Sequence, residues 1–318
     1  MVKKTVFIDG EAGTTGLGIR ERLLRVPGLA LRSIAEDRRK DPGARREMME
    51  SVDLVVLCLP DAAAKESVAL ADSLGAKGPR IIDASTAHRV DPNWVYGFPE
   101  MAPGQAEKIA AATRVSNPGC YPTGAIGLLR PLVAAGAMAT DFPVTINAVS
   151  GYSGGGKSMI GEHASSGGPA FELYGLGLEH KHVAETQSYS GLTRRPIFVP
   201  SVGHYAQGMI VSVPLHLDTL APGTRGSDLH DILAGFYAGQ RLVRVLPPTA
   251  DAKLEPEALN DTDVLELRVY ANENRRHAIL VARLDNLGKG ASGAAVQSIG
   301  LMLGLGETAI GSKEMAHG

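Results

Sequence analysis

Residues 5–23 read TVFIDGEAGTTGLGIRERL. The run Thr5–Asp9 has the short, apolar character of a buried strand, and the next segment, GIRERLLRV, puts Ile19, Leu23, Leu24 and Val26 on one helical side. Between them stand Gly10, Gly13 and Gly16. A glycine triplet that leaves a strand and opens a helix permits a tight turn and lets a diphosphate approach the free N–H groups of the helix start. Gly10, Gly13, Thr14, Thr15 and Gly16 are therefore the candidate cofactor contacts, and the stretch predicts a dinucleotide-binding α/β domain.

The following segments extend that pattern. LALRSIA, DLVVLCLP and RIIDAS read as further strands, and DAAAKESVALADSLGAKG reads as a helix between the last two. Strands separated by helices at this spacing imply crossover units and a parallel sheet. Past residue 140 the pattern changes. PVTINAVS, GMIVSVPLHL, TDVLELRVYAN and AILVARLDN are longer and alternate cleanly, which predicts an α+β domain on a mostly antiparallel sheet with one solvated face. In that sheet Leu265, Leu267 and Val269 would point inward, with Glu266, Arg268 and Tyr270 outward. A helix among these strands is expected to start at a Ser227 cap, and the apolar segment KGASGAAVQSIGLMLGLG is expected to pack on a sheet.

Composition narrows the function classes. The chain has 318 residues, 44 % hydrophobic and 21 % charged, with a formal charge of -2. That balance argues against a nucleic-acid partner, which would call for a basic surplus. No apolar run approaches the roughly 18 residues of a membrane span, and the amino terminus lacks a signal-peptide pattern. With only two cysteines a disulfide framework is not expected, and the reading is a cytoplasmic protein.

The end of the second strand, SIAEDRRKD, bears on the choice of nucleotide. Glu36 stands where an acid would hold a ribose 2′-hydroxyl, as for NAD, while Arg38, Arg39 and Lys40 could hold the 2′-phosphate of NADP. The arginine group is the denser signal and favours NADP.

The two cysteines differ in setting. Cys120 follows a Pro-Gly turn and opens an apolar helical segment, where the helix N-terminus favours a thiolate nucleophile. Cys58, inside LVVLCLP, reads as a small buried hydrophobe. A catalytic thiolate needs an acid/base. His180 and His182 in LEHKHVAETQ are candidates, because Glu185 follows three residues after His182 and on a helix would face it. His204 is another candidate, whereas His163, His216, His230 and His277 read as surface or sheet positions. A zinc site at His180 and His182 lacks a third ligand motif, so no metal is expected.

The segments SNPGCYPTGAIGLLRPL, VYGFPEM, VSGYSGGGKS, HKHVAETQ and KGASGAAVQSIGLML occur in the order found in N-acetyl-γ-glutamyl-phosphate reductases of arginine biosynthesis. From first strand to last helix the chain resembles the shorter form of that family. The resemblance implies a cofactor domain of residues 1–119 plus 288–318, and a catalytic and dimerisation domain of residues 120–287. It implies NADPH as reductant, an acyl phosphate as substrate, and a homodimer or homotetramer. Cys120 falls on the family's nucleophile, His182 on its acid/base and Glu185 on its glutamate. Arg89 matches a substrate arginine, with Ser85 on the same segment. The segment here reads His-Lys-His where the family has His-Arg-His, Ala184 replaces a usual proline, and His88 replaces an aromatic residue before Arg89. The alternatives are an aspartate-semialdehyde dehydrogenase with the same thiolate chemistry, or an NADP-binding regulator without catalysis.

Residues 151–158, GYSGGGKS, also fit the phosphate loop of nucleotide hydrolases. The glycines and proline after Ser158 are expected to cut any helix short, and the later apolar run ending in aspartate lies far along the chain. The loop is read instead as part of the active site, with Ser153 and Gly154 in its core and Lys157 facing the substrate's phosphate.

Overall fold

The computed structural model describes residues 3–251 and 253–305. The chain divides after Pro118 and rejoins the first unit at Ala291; the expected C-terminal part of the cofactor domain beyond residue 305 lies outside the described residues.

The first unit holds six strands: β1 (Lys4–Asp9), β2 (Leu29–Arg32), β3 (Leu54–Leu57), β4 (Arg80–Asp83), β5 (Val95–Tyr96) and β6 (Arg114–Ser116). They form one parallel sheet in the order β2-β1-β3-β4-β6-β5. Helices α1 (Thr14–Leu23), α2 (Pro42–Glu50), α3 (Asp61–Asp72), α4 (Gln105–Ala111) and α9 (Gly293–Leu303) cover it. Alternation along the strands serves both faces. Val6 and Ile8 of β1 with Leu54 and Val56 of β3 pack with Ile19, Ile109 and Ile299. Phe7, Val55 and Leu57 turn the other way, toward Met49 and Ala64. A sheet buried on both faces needs such continuous apolar strands. Arg80 binds the carbonyl oxygens of Ala110 (2.6 Å) and Met302, so one guanidinium holds the ends of α4 and α9. Leu24, placed with Ile19, Leu23 and Val26 on one helical side, is the C-cap residue of α1 and is 65 % exposed, whereas the other three are buried.

The second unit carries β7 (Thr145–Gly151), β8 (Phe171–Leu173), β9 (Ile197–Gly203), β10 (Met209–His216), β11 (Val243–Val245), β12 (Leu265–Asn272) and β13 (His277–Leu284). Their order is β11-β12-β13-β10-β7-β9-β8. This sheet is mixed: β7 runs parallel to β9 and β11 parallel to β12, and the other pairings are antiparallel. Leu265, Leu267 and Val269 are buried as expected, but so is Glu266 on the face expected to be solvated. Its carboxylate is clamped by Arg283 (2.8 and 3.1 Å) and Arg268 (2.8 Å); a buried carboxylate demands such partners.

Four helices complete the unit: α5 (Cys120–Ala134), α6 (Gly156–Ser166), α7 (Val183–Ser190) and α8 (Gly226–Phe236). Helix α8 starts one residue before Ser227. Its end is closed by Asp228, which accepts the Arg225 N–H at 2.8 Å, and by Glu273, which accepts the Gly226 N–H at 2.7 Å. Helix α5 lies close on the sheet through its glycines. A Cβ on Gly124 would stand 2.9 Å from Val211, and one on Gly127 would stand 3.0 Å from Leu265. Pro131 lies inside α5 and cannot donate to the carbonyl of Gly127. Tyr237 at the end of α8 donates its hydroxyl to that carbonyl instead, at 3.0 Å.

We predict that Tyr237→Phe destabilises the second unit by about 1–2 kcal/mol. In a Pro131→Ala background, where an N–H returns to Gly127, the same change should cost distinctly less. Urea midpoints of the four proteins in this cycle measure the difference.

Candidate active site

The second unit gathers its chemistry where α5 begins. The chain enters from the Gly119 position with no side-chain cap, so Cys120 stands as the first residue of a fifteen-residue helix. Free N–H groups at such an end favour an anionic sulfur. Gly290 approaches the nucleophile closely: a Cβ there would lie 2.9 Å from that of Cys120. Glu185, 1 % exposed on α7, accepts the Gly119 N–H at 3.1 Å and so ties α7 to the residue before the nucleophile. The spacing from His182 suggested an imidazole partner for this carboxylate. In the structure α7 starts at Val183 and His182 is its N-cap residue, so Glu185 stands in the first turn of the helix that follows His182.

His182 is buried and lies beside Tyr121, with ring centroids 5.9 Å apart; His180 packs on both, at 4.8 Å from His182 and 6.2 Å from Tyr121. His180 accepts the His182 backbone N–H through Nδ1 at 3.1 Å, which fixes the local turn. Tyr121 donates to the carbonyl of Ser201 and accepts from Tyr174 at 3.2 Å. Burial pushes both phenols up, Tyr174 to about 12, and the Cys120 charge adds to the effect on each, so both hydroxyls sit in its field. Tyr121, the residue after the nucleophile, thus packs with His180 and His182 and bonds to Tyr174; the sequence reading missed both tyrosines. Tyr121 follows the nucleophile directly, and that adjacency was the available signal.

The GYSGGGKS segment behaves differently from expectation. After a 3-10 turn at Tyr152–Gly155 it continues into α6, an eleven-residue helix. The glycines do not stop it, because Gly161 sits in open space within the helix. Ser153 is buried and its hydroxyl accepts from Asn286 at 2.9 Å, while Lys157 is exposed on the first turn of α6. Ser153 is thus a brace of the loop, and Gly154 is exposed beside it. His163, read as a surface or sheet position, lies on α6, is buried against Tyr152 and shares a 2.7 Å ring hydrogen bond with the exposed His204. That pairing ties α6 to the end of β9.

In the first unit Gly10 has φ +90°, and a Cβ on it would stand 2.3 Å from the Cys58 carbonyl oxygen. A Cβ on Gly16 would meet the Gly10 oxygen at 2.6 Å, whereas Gly13 leaves its side of the loop open, with 3.5 Å to its nearest neighbour. Thr14 and Thr15 open α1, whose N-cap Gly13 offers no side chain. Bare N–H groups above a side-chain-free turn fit a dinucleotide diphosphate. Beyond β2, Arg38 binds Asp41 at 3.2 Å, and Arg39 lies 3.4 Å from Glu11 and 3.9 Å from Glu36. On the segment after β4, the Ser85 hydroxyl donates to Asp83 at 2.7 Å. His88, whose Nδ1 is 2.7 Å from the same carboxylate, stacks on Trp94. Arg89 is buried and donates to the Ala84 carbonyl at 3.4 Å. Asp83 therefore shapes the turn that presents Arg89.

Among the described residues no group of three or more His, Cys, Asp or Glu side chains is arranged to hold a metal, and no helix is long and apolar enough to cross a membrane.

Residues 14–109 match the model of the semialdehyde dehydrogenase NAD binding domain, and residues 120–286 match that of the semialdehyde dehydrogenase dimerisation domain. The chain is 51 % identical to N-acetyl-γ-glutamyl-phosphate reductase 2 of a Nostoc species and 52 % identical to N-acetyl-γ-glutamyl-phosphate reductase of Burkholderia cenocepacia. In both cases the match covers 96 % of this chain and 99 % of the relative. Among solved structures, aspartate semialdehyde dehydrogenase II of Vibrio cholerae is similar at a TM-score of 0.71 and 18 % identity, over 95 % of this chain and 98 % of that one; this likeness concerns the fold.

The two thiols should separate sharply in reactivity. Although Cys58 keeps some exposure, desolvation, with the carboxylates of Asp83 and Asp9, pushes its thiol up to about 12. At pH 8 iodoacetamide should label the native protein once, at Cys120, and Cys120→Ser should remove that adduct. Mass spectrometry of the labelled peptides checks this; an adduct at Cys58 below about pH 11 would contradict it.

Proposed function

The chain belongs to the N-acetyl-γ-glutamyl-phosphate reductase family, and from that premise we propose that it reduces N-acetyl-γ-glutamyl phosphate to N-acetylglutamate 5-semialdehyde with release of phosphate. The observation that carries the reading is Cys120 at the start of α5, with its neighbour Tyr121 against His182 and its neighbour Gly119 bound to Glu185 of α7.

The Cys120 thiolate attacks the acyl carbon, the developing oxyanion is met by N–H groups at the head of α5, and the C–O bond to phosphate breaks to leave a thioester on Sγ. The Gly10–Gly16 turn and the start of α1 would hold NADPH, with Arg38 and Arg39 toward its 2′-phosphate, and the bound nucleotide would supply the hydride for reduction of the thioester. His182 protonates the oxyanion that hydride addition leaves and takes that proton back as the hemithioacetal collapses to the aldehyde and frees the thiolate. Glu185 acts through the backbone of Gly119, as a positioning residue for the nucleophile. Arg89 with Ser85, Lys157 with the Ser153 loop, and His180 are the proposed substrate contacts. The dimerisation domain supports assembly of like subunits, proposed as a homodimer or homotetramer, and a biosynthetic role of this kind supports a cytoplasmic location.

Run in reverse, the reaction becomes a phosphate-dependent reduction of NADP⁺ by N-acetylglutamate semialdehyde, followed at 340 nm. Cys120→Ser should abolish it, and His182→Asn should lower kcat by about 10²- to 10⁴-fold. Turnover with aspartate semialdehyde in place of the acetylated aldehyde would reassign the substrate, and NADP⁺ binding without turnover on either would overturn the enzymatic reading.

A further inference from the structure

The ribose of an adenine nucleotide seated on a glycine turn of this kind falls at the carboxyl end of β2. Glu36, the acid that follows that strand in sequence, is 90 % exposed and lies no closer than 3.9 Å to Arg39. The position is occupied from the other side. Glu11, inside the glycine turn, is only 15 % exposed at its side chain, and Ser33, the first residue after β2, donates its hydroxyl to Glu11 Oε2 at 3.1 Å. The same oxygen accepts from Arg20 Nη1 at 3.0 Å, and Oε1 accepts from Arg39 Nη2 at 3.4 Å. Arg20 also donates to Ser33, at 3.3 Å. Alongside lies a groove of about 290 Å³ with Ile34, Ala35 and Met48 as apolar wall and Arg38 at its rim, suited in polarity to a flat heterocycle.

This arrangement has opposite consequences for the two nucleotides. A ribose 2′-hydroxyl can donate to the Glu11 carboxylate. A 2′-phosphate would instead face a negative charge at the same place, and would find Arg20 and Arg39 already partly neutralised by it. Resting on the dinucleotide reading above, we propose that Glu11 sets the cofactor preference of this protein: its carboxylate supports NADH and opposes the 2′-phosphate of NADPH. The preference for NADPH created by Arg38 and Arg39 is thereby kept narrow, and both reduced nucleotides remain ligands.

The test is calorimetric titration of the full chain with NADPH and with NADH, without substrate. Glu11→Gln keeps the shape and removes the charge. It should tighten NADPH and weaken NADH, widening the ratio of the two dissociation constants by about tenfold, and the gain for NADPH should shrink in 0.5 M NaCl. Arg20→Gln leaves Glu11 less neutralised and should move the ratio the other way, toward NADH, which keeps the test decisive if the first variant folds poorly. Glu36→Gln should leave the ratio within about twofold, because that side chain is solvated. An unchanged ratio in Glu11→Gln, or a loss of NADPH affinity, would overturn the proposal and reduce Glu11 to a tether for Arg39. Failure of the unaltered protein to bind either nucleotide would overturn the dinucleotide site itself, and this assignment with it.

Discussion

The hydrogen bond from the Gly119 N–H to Glu185 holds the second domain's chemistry together. A carboxylate buried to this degree is costly unless its oxygens are used, and here one is used at the residue before the nucleophile. It joins two helices that are remote in sequence, α5 carrying Cys120 and α7 following directly on His182. Around that link Tyr121 packs against both imidazoles, and the small residues of α5 let the helix settle on the sheet. Loosening the link would change the angle at which the thiol is presented before it changed the thiol itself.

What was legible in the chain was local. Strand and helix order in the first domain follows from apolar runs cut by glycines, and β1, the glycine turn and α1 stand where the opening stretch implied. Cys120 was visible for the same reason, being placed by a Pro-Gly turn ahead of an apolar helix. Features set by distant partners were not legible. Glu185 has a backbone partner 66 residues away, which no local spacing announces. Ser227 loses the cap of α8 because Asp228 and Glu273 satisfy the end first. Glu266 alternates like a solvated residue, yet two arginines enclose it. The parallel pairings of β7 with β9 and β11 with β12 cannot be read from alternation, which reports burial and not strand direction.

The GYSGGGKS segment shows how far a pattern can travel from its usual meaning. It has the strand, the turn and, against expectation, the helix of a nucleotide-hydrolase loop. Yet β7 lies in a mixed sheet between β10 and β9, its turn is tightened by bonds from Tyr152 and Ser153 to the backbone of residues 205 and 206, and the serine is committed to Asn286. What the segment retains is a lysine at the head of a helix, a general device for meeting a phosphate oxygen.

The return of α9 to the first domain has a consequence for how the protein is made. Ala295, Ile299 and Met302 cover one face of the parallel sheet, and they emerge from the ribosome after all of the second domain. Residues 119–290 can close on themselves while that sheet still shows an apolar face to solvent or to a chaperone. The order of synthesis is thus the reverse of the order of completion: the domain begun first is finished last.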